Sequence, residues 1–164
     1  MSATDAEFKH DEFKHREDLI RRVVGVQGFM KLVGTSIDEV VPGGCTLSVN
    51  KRPELLQHLG MFHGGVTAFL VDNATTAAAA TIMPADRTTL TAGFTLNYLA
   101  TAMGDKLICR AKVVKPGRTL VVVSADVYCV IDGKEKHTAT ALSTIALIEG
   151  DTVAMTKAAG IGVE

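Results

Sequence analysis

Asp72 is the only charge between residues 66 and 83, a run otherwise made of apolar and small side chains without Gly or Pro. Length and periodicity predict a helix over residues 66–83 that is buried on most sides. An ionised carboxylate in such a place is costly unless paired. Asp72 is therefore either hydrogen-bonded to structure or a catalytic acid, since perturbed acids gather at functional sites. Just ahead of it stands His63-Gly64-Gly65. A helix N-terminus presents unpaired N–H groups and partial positive charge, which suits a carbonyl oxygen that becomes an oxyanion during acyl transfer. Gly64 would let a substrate reach its N–H without side-chain obstruction. The same glycines would equally serve a plain loop-to-helix turn.

Spacing constrains how these groups can cooperate. Gly64 and Asp72 are eight residues apart, about 12 Å along a helix axis and roughly 80° around it. Partners of one reacting carbonyl must lie within about 3 Å of it. If both act, they act from different chains. A dimer with Gly64 of one helix opposite Asp72 of the other would make two sites about a two-fold axis.

The elements that must position these groups follow from patterning. Residues 6–24 are charged with Phe8, Phe13, Leu19, Ile20 and Val23 interspersed, which predicts an amphipathic surface helix. His10 and His15 lie five apart there, on well-separated faces of a helix and poorly placed to share a metal. Phe29, Met30 and Leu32 are expected to close over the core before Gly34. Residues 36–41 and 45–50 flank Pro42-Gly43-Gly44 as a hairpin. Beyond Pro84, four extended runs follow at residues 88–99, 106–115, 119–131 and 136–148. In the third, Val121, Val123, Ala125, Val127, Cys129 and Ile131 form the apolar face. Asp132-Gly133 is a type I′ turn signal, and together these runs predict an antiparallel meander. The tail, residues 151–164, has little periodicity and is expected to be flexible.

With 164 residues, 47% of them hydrophobic, and a net charge of −1, the chain has material for one domain and no strongly basic face for nucleic acid. The apolar run around Asp72 is too polar for a membrane span. Cys45, Cys109 and Cys129 are odd in number and lack C-x-x-C spacing, which fits buried free thiols in a reducing compartment. The acidic N-terminus has no signal- or transit-peptide pattern, so the expectation is a cytoplasmic protein, with a mitochondrial matrix location compatible.

The His63-Gly64-Gly65 start, Asp72 and Asn73 on the helix, Asn97-Tyr98-Leu99, and Lys115-x-Gly117-Arg118-Thr119 resemble the phenylacetate-type and thioesterase-superfamily-member-2-like acyl-CoA thioesterases. The resemblance covers about residues 33–148. It implies an α+β hotdog fold, an antiparallel sheet wrapped around one long buried helix, with the N-terminal amphipathic helix added. Residues 1–30 would be a helical segment, 31–150 the thioesterase domain and 151–164 the tail. It implies a homodimer, commonly a dimer of dimers, and hydrolysis of an acyl-CoA thioester with no metal and no cofactor beyond the coenzyme A of the substrate.

Residue roles carry over by position. Asp72 matches the family's general base or nucleophile, and Thr91 the strand hydroxyl that holds the attacking water, although a β-branched residue suits any strand. His63 would orient the loop or bond near the carbonyl, with a structural cap as the equal alternative. Tyr98, Leu99, Ala100 and Thr101 match the segment that pairs with the pantetheine amides, and Asn73 falls beside it in the substrate-binding set. Lys115, Pro116, Gly117, Arg118 and Thr119 match the coenzyme A phosphate segment, although basic residues at an exposed turn need no ligand. The acyl chain would lie along Phe69, Leu70 and Phe94. Where the family often carries an Asn ahead of the His-Gly-Gly, this chain has Gln57, one methylene longer, beside His58. Ala100-Thr101-Ala102 also replaces a common Pro. The Gln57 departure keeps a non-catalytic acyl-CoA or acyl-carrier binding module as an alternative. A hotdog hydratase or dehydratase is disfavoured because the only nearby His precedes the helix. No Gly-x-Ser-x-Gly elbow offers a serine nucleophile.

Overall fold

A computed structural model describes residues 3–162, with side chains from residue 13 onward. The expectations for Phe8 and His10 lie outside the described side chains. Helix α1 spans Ala3–Val26 and α2 spans Gly28–Val33. The strands are β1 Thr35–Val41, β2 Gly44–Asn50, β3 Arg87–Tyr98, β4 Lys106–Lys115, β5 Leu120–Ile131 and β6 Lys134–Glu149. Between β2 and β3 lies the long helix α3, Gly64–Ala80. All strand pairs are antiparallel, and the six strands curve around α3 as expected of a hotdog fold.

The sheet corrects one expectation. Its order is β1-β2-β4-β5-β6-β3, so only β4-β5-β6 form a meander, and β3 pairs with β6 at the far edge. The reason is the helix between β2 and β3. It lies on the concave face and carries the chain across the sheet, so β3 starts at the opposite margin and β4 returns to pair with β2. One edge of β3 is left without a partner among the described residues.

The apolar face read in β5 is the core face. Val121, Val123, Ala125, Val127 and Cys129 are all buried against Leu70, Val71, Ala74 and Ala78 of α3 in one cluster. The alanines let the helix lie close to the sheet. The helix stops at Ala80, short of the expected 83, because the Thr81 hydroxyl turns back to the Ala78 carbonyl and also accepts from the Gly43 N–H in the β1–β2 turn. Asp132 and Gly133 both have positive φ, as a type I′ turn requires.

At the N-terminus Met30 is buried as expected, whereas Phe29 and Leu32 are exposed. The expected flexible tail holds a short helix α4, Thr152–Ala158, whose first N–H groups are capped by Asp151. None of the described helices is long and apolar enough to cross a membrane.

Candidate active site

The residues singled out by spacing separate into two groups, one at the N-terminal end of α3 and one from its middle onward. At the N-terminal end, His63 is the helix cap, its Nδ1 accepting from the Gly65 N–H at 3.0 Å. Of the roles open to His63, the cap is therefore occupied within the chain. The Gly64 N–H has no partner among the described residues and is partly open to solvent. Tyr98 closes over this end, its hydroxyl donating to the Gly64 carbonyl at 2.8 Å. Partial burial raises the Tyr98 pKa, which keeps that donor protonated.

The segment after Tyr98 is stapled on both sides. The Leu99 and Ala100 N–H groups donate to the Thr138 carbonyl at 2.9 and 3.2 Å, and the Ala102 carbonyl accepts from Phe62 N at 2.9 Å. These two N–H groups are thus already used, leaving the Leu99 and Ala100 carbonyls without a partner among the described residues. Thr138 can serve both because it is an extra residue in β6 opposite the Val127/Tyr128 step of β5. Gln57 sits in a tight loop, its N–H bonded to the Met61 carbonyl and its own carbonyl to Gly60 N, both at 2.9 Å. Its side-chain amide has no partner among the described residues.

Midway along α3 stands Asp72. Its carboxylate is half-buried and makes no hydrogen bond within the described residues, so the structural alternative for this acid finds no partner among them. One turn further on, the Thr76 hydroxyl donates to the Asp72 carbonyl at 2.8 Å and lies 2.9 Å from the Thr91 hydroxyl on β3. Sequence reasoning missed Thr76. Its signal was position, four residues after Asp72 and therefore on the same helix face. Asn73 turns its amide back to the Phe69 carbonyl at 2.9 Å.

A bulge brings β3 into register with both groups. Thr91 and Tyr98 are seven residues apart, an odd number that would send them to opposite faces of a regular strand. The register shifts between Thr91 and Gly93, so Thr91 lies opposite buried Ile145 and Tyr98 opposite buried Ala139, both on the concave face. Gly93 inside a strand was the available sequence signal.

The turn at Lys115-Pro116-Gly117-Arg118-Thr119 belongs to the Thr91 end. Its continuation Val121 pairs with Ile145, the partner of Thr91. Tyr98 lies about 20 Å further along the sheet. All five turn residues are exposed, and Thr119 fixes the turn through its carbonyl to Leu147 N at 2.8 Å. Of the three residues expected along the acyl chain, Leu70 is fully buried in the core and is corrected as a lining residue. Phe69 packs edge-on against Phe29, ring centroids 4.8 Å apart, and Phe94 is exposed on β3. Among the described residues, no three His, Cys, Asp or Glu side chains gather as a metal site.

Comparison with known proteins decides the family. The thioesterase superfamily model matches residues 59–136, which include α3 and its first-turn glycines. A thioesterase family protein from Silicibacter pomeroyi superposes with a TM-score of 0.80 at 34% identity, covering 82% of this chain and 99% of that one. The chain belongs to the thioesterase superfamily. A protein of Halobacterium salinarum described as an esterase is 32% identical over 114 residues, 66% of this chain and 75% of that one. Human acyl-coenzyme A thioesterase 13 is 26% identical over 121 residues, 71% of this chain and 84% of that protein. With its antiparallel sheet around a long helix, this thioesterase is a hotdog-fold enzyme of the phenylacetate type, a hydrolase of thioesters.

Proposed function

We propose that this thioesterase hydrolyses acyl-CoA thioesters at a site completed by a second copy of the chain. The observation that carries the reading is the separation of the two groups within one chain. The Gly64 N–H, unpaired among the described residues, and Tyr98 lie at the N-terminal end of α3, and Asp72, Thr76 and Thr91 cluster from its middle onward. Two further facts support a dimer. The outer edge of β3 is open along a strand of 12 residues, the kind of edge that recruits another strand. Leu90, Phe94 and Tyr98 on that strand are exposed. The human relative is named for acyl-coenzyme A, which supports acyl-CoA as the substrate class.

In this reading the thioester carbonyl accepts from the Gly64 N–H at the positive end of α3, which stabilises the oxyanion as the carbon becomes tetrahedral. The partner subunit's Asp72 takes a proton from water as the new C–O bond forms. The C–S bond then breaks, and that proton passes to the departing coenzyme A thiolate. Direct attack by the carboxylate, with water hydrolysing the resulting anhydride, uses the same placement. Lys115 and Arg118 offer cations to the phosphates, and the free Leu99 and Ala100 carbonyls offer acceptors to the pantetheine amides. Gln57 carries its amide toward the carbonyl or water. The hydratase alternative is weakened because the ring nitrogen His63 Nδ1 is already engaged by Gly65.

Mixed-dimer complementation tests both the chemistry and the shared site. Asp72→Asn should lower hydrolysis of a medium-chain acyl-CoA by about a hundredfold or more while coenzyme A still binds. Gly64→Val should also be impaired. After the two inactive variants are unfolded and refolded together, half of the dimers carry both chains, each with one intact site, so about one quarter of wild-type activity should return. No recovery would refute the shared site, and equal slow hydrolysis by wild type and Asp72→Asn would refute catalysis.

A further inference from the structure

Helix α1 lies outside the segment that matches the superfamily model, yet it forms one wall of a cavity of about 510 Å3 against the active-site helix. Leu19, Ile20 and Val23 of α1 face Thr76, Ala77 and Ala80 of α3 across it, with α4 along the side. The walls are fixed by polar staples. Arg16 donates to the Met83 carbonyl and, at 3.5 Å, to the Ala80 carbonyl, tying α1 to the C-terminal end of α3. Thr152 donates to the Thr88 hydroxyl at 2.8 Å, tying α4 to β3.

The near end of the cavity is the Asp72 half of the site. Thr76 lines it, and the Thr76 hydroxyl is the one bonded to the Asp72 carbonyl and facing Thr91. Asn73, next to Asp72, lines it too. Of the ionisable groups on the lining, Arg16 is engaged by the two carbonyls and Asp151 by the Val153 and Ala154 N–H groups at 2.8 and 3.2 Å, while His15 lines the cavity from α1. What remains facing inward is chiefly aliphatic, and the volume falls in the usual range for small-molecule pockets.

We infer that this cavity receives the acyl group of the thioester and that α1 sets the length accepted. The inference rests on the thioesterase site proposed above and replaces Phe69, Leu70 and Phe94 as the acyl path. From Asn73 to Ala80 the cavity follows α3 for about 10 Å. An extended chain advances about 1.2 Å per bond, as the backbone itself does. The cavity therefore fits an unbranched aliphatic acyl group of medium length, about eight to ten carbons.

The test uses the full-length protein, with kcat/KM measured on saturated acyl-CoAs from acetyl to palmitoyl and binding of free decanoate measured by calorimetry. Val23→Trp fills the cavity and should lower kcat/KM for decanoyl-CoA about tenfold while leaving acetyl-CoA almost unchanged. Leu19→Ala opens it and should shift the optimum to longer chains, an opposite change that general loss of structure would not produce. Circular dichroism establishes that each variant is folded, and Leu19→Ala reports by itself if Val23→Trp is not.

Unchanged chain-length profiles in folded, active variants would overturn the inference and leave the thioesterase reading standing. If wild type hydrolysed none of the thioesters, the site reading would fail, and decanoate binding would decide the cavity separately. Affinity weakened about tenfold by Val23→Trp supports an alkyl site there, and absent or unaffected binding overturns it.

Discussion

The hydroxyls of Thr76 and Thr91 stand 2.9 Å apart, joining the active-site helix to the edge strand beside Asp72. Each hydroxyl has one proton. Thr76 gives its proton to the Asp72 carbonyl, so Thr91 must give its own to Thr76. The lone pairs of Thr91 are then left to accept from a water molecule, which is the orientation needed to aim that water at a carbonyl.

Thr91→Val and Thr76→Val should therefore each lower kcat by about tenfold with little change in KM, and the double variant should be no worse than either single one. Thr91→Ser should retain most activity. Steady-state kinetics on one medium-chain acyl-CoA checks this. A fully active Thr76→Val would show that the hydroxyl pair has no part in placing the water.

Gly117 has no room for a side chain. A Cβ there would come within 2.2 Å of the Leu120 carbonyl oxygen, a backbone atom that cannot swing aside. Gly117→Ala should displace the Lys115–Arg118 turn and raise KM for acyl-CoA by about tenfold, with kcat less affected because the turn serves the nucleotide phosphates and supplies no group to the reacting carbonyl. A small thioester lacking the nucleotide should be hydrolysed by the variant as by wild type. An equal loss on both substrates would mean that the turn supports the fold and not coenzyme A.

The buried thiols provide a pH signature. Burial pushes Cys45 from 9.0 up to about 12, and burial likewise raises Cys109 and Cys129. The folded state thus prefers each protonated thiol. Their contribution to stability is complete below about pH 9 and is lost as pH rises from there toward 12. Thermal unfolding should show a falling Tm across that window. At pH 8 the native protein should resist a thiol-specific reagent that labels all three cysteines once it is unfolded. Rapid labelling of the native protein would contradict their burial.

Much of the fold was legible because its signals are local. The helix around Asp72, the Pro42-Gly43 hairpin, the Asp132-Gly133 turn and the inward face of β5 each follow from periodicity or turn chemistry within a few residues. The position of β3 did not follow, because strand order depends on which edges meet after α3 has crossed the sheet. The helix in the tail was not legible for a related reason. Helix α4 is short and weakly periodic; its cap by Asp151 is local, but its anchoring on Thr88 is visible only when the two segments are together.

The sequence by itself determined that Gly64 and Asp72 cannot meet on one carbonyl, since eight residues of helix hold them about 12 Å apart. Tertiary structure decided which neighbours each acquires. Tyr98 joins Gly64, while Thr76 and Thr91 join Asp72. That pairing depends on the bulge after Thr91, which turns two residues of opposite parity to one face, and on the edge position of β3 beside α3. Strand parity is local and readable, but a bulge persists only where the partner strand and the packed helix reward it, so it belongs to the assembled fold.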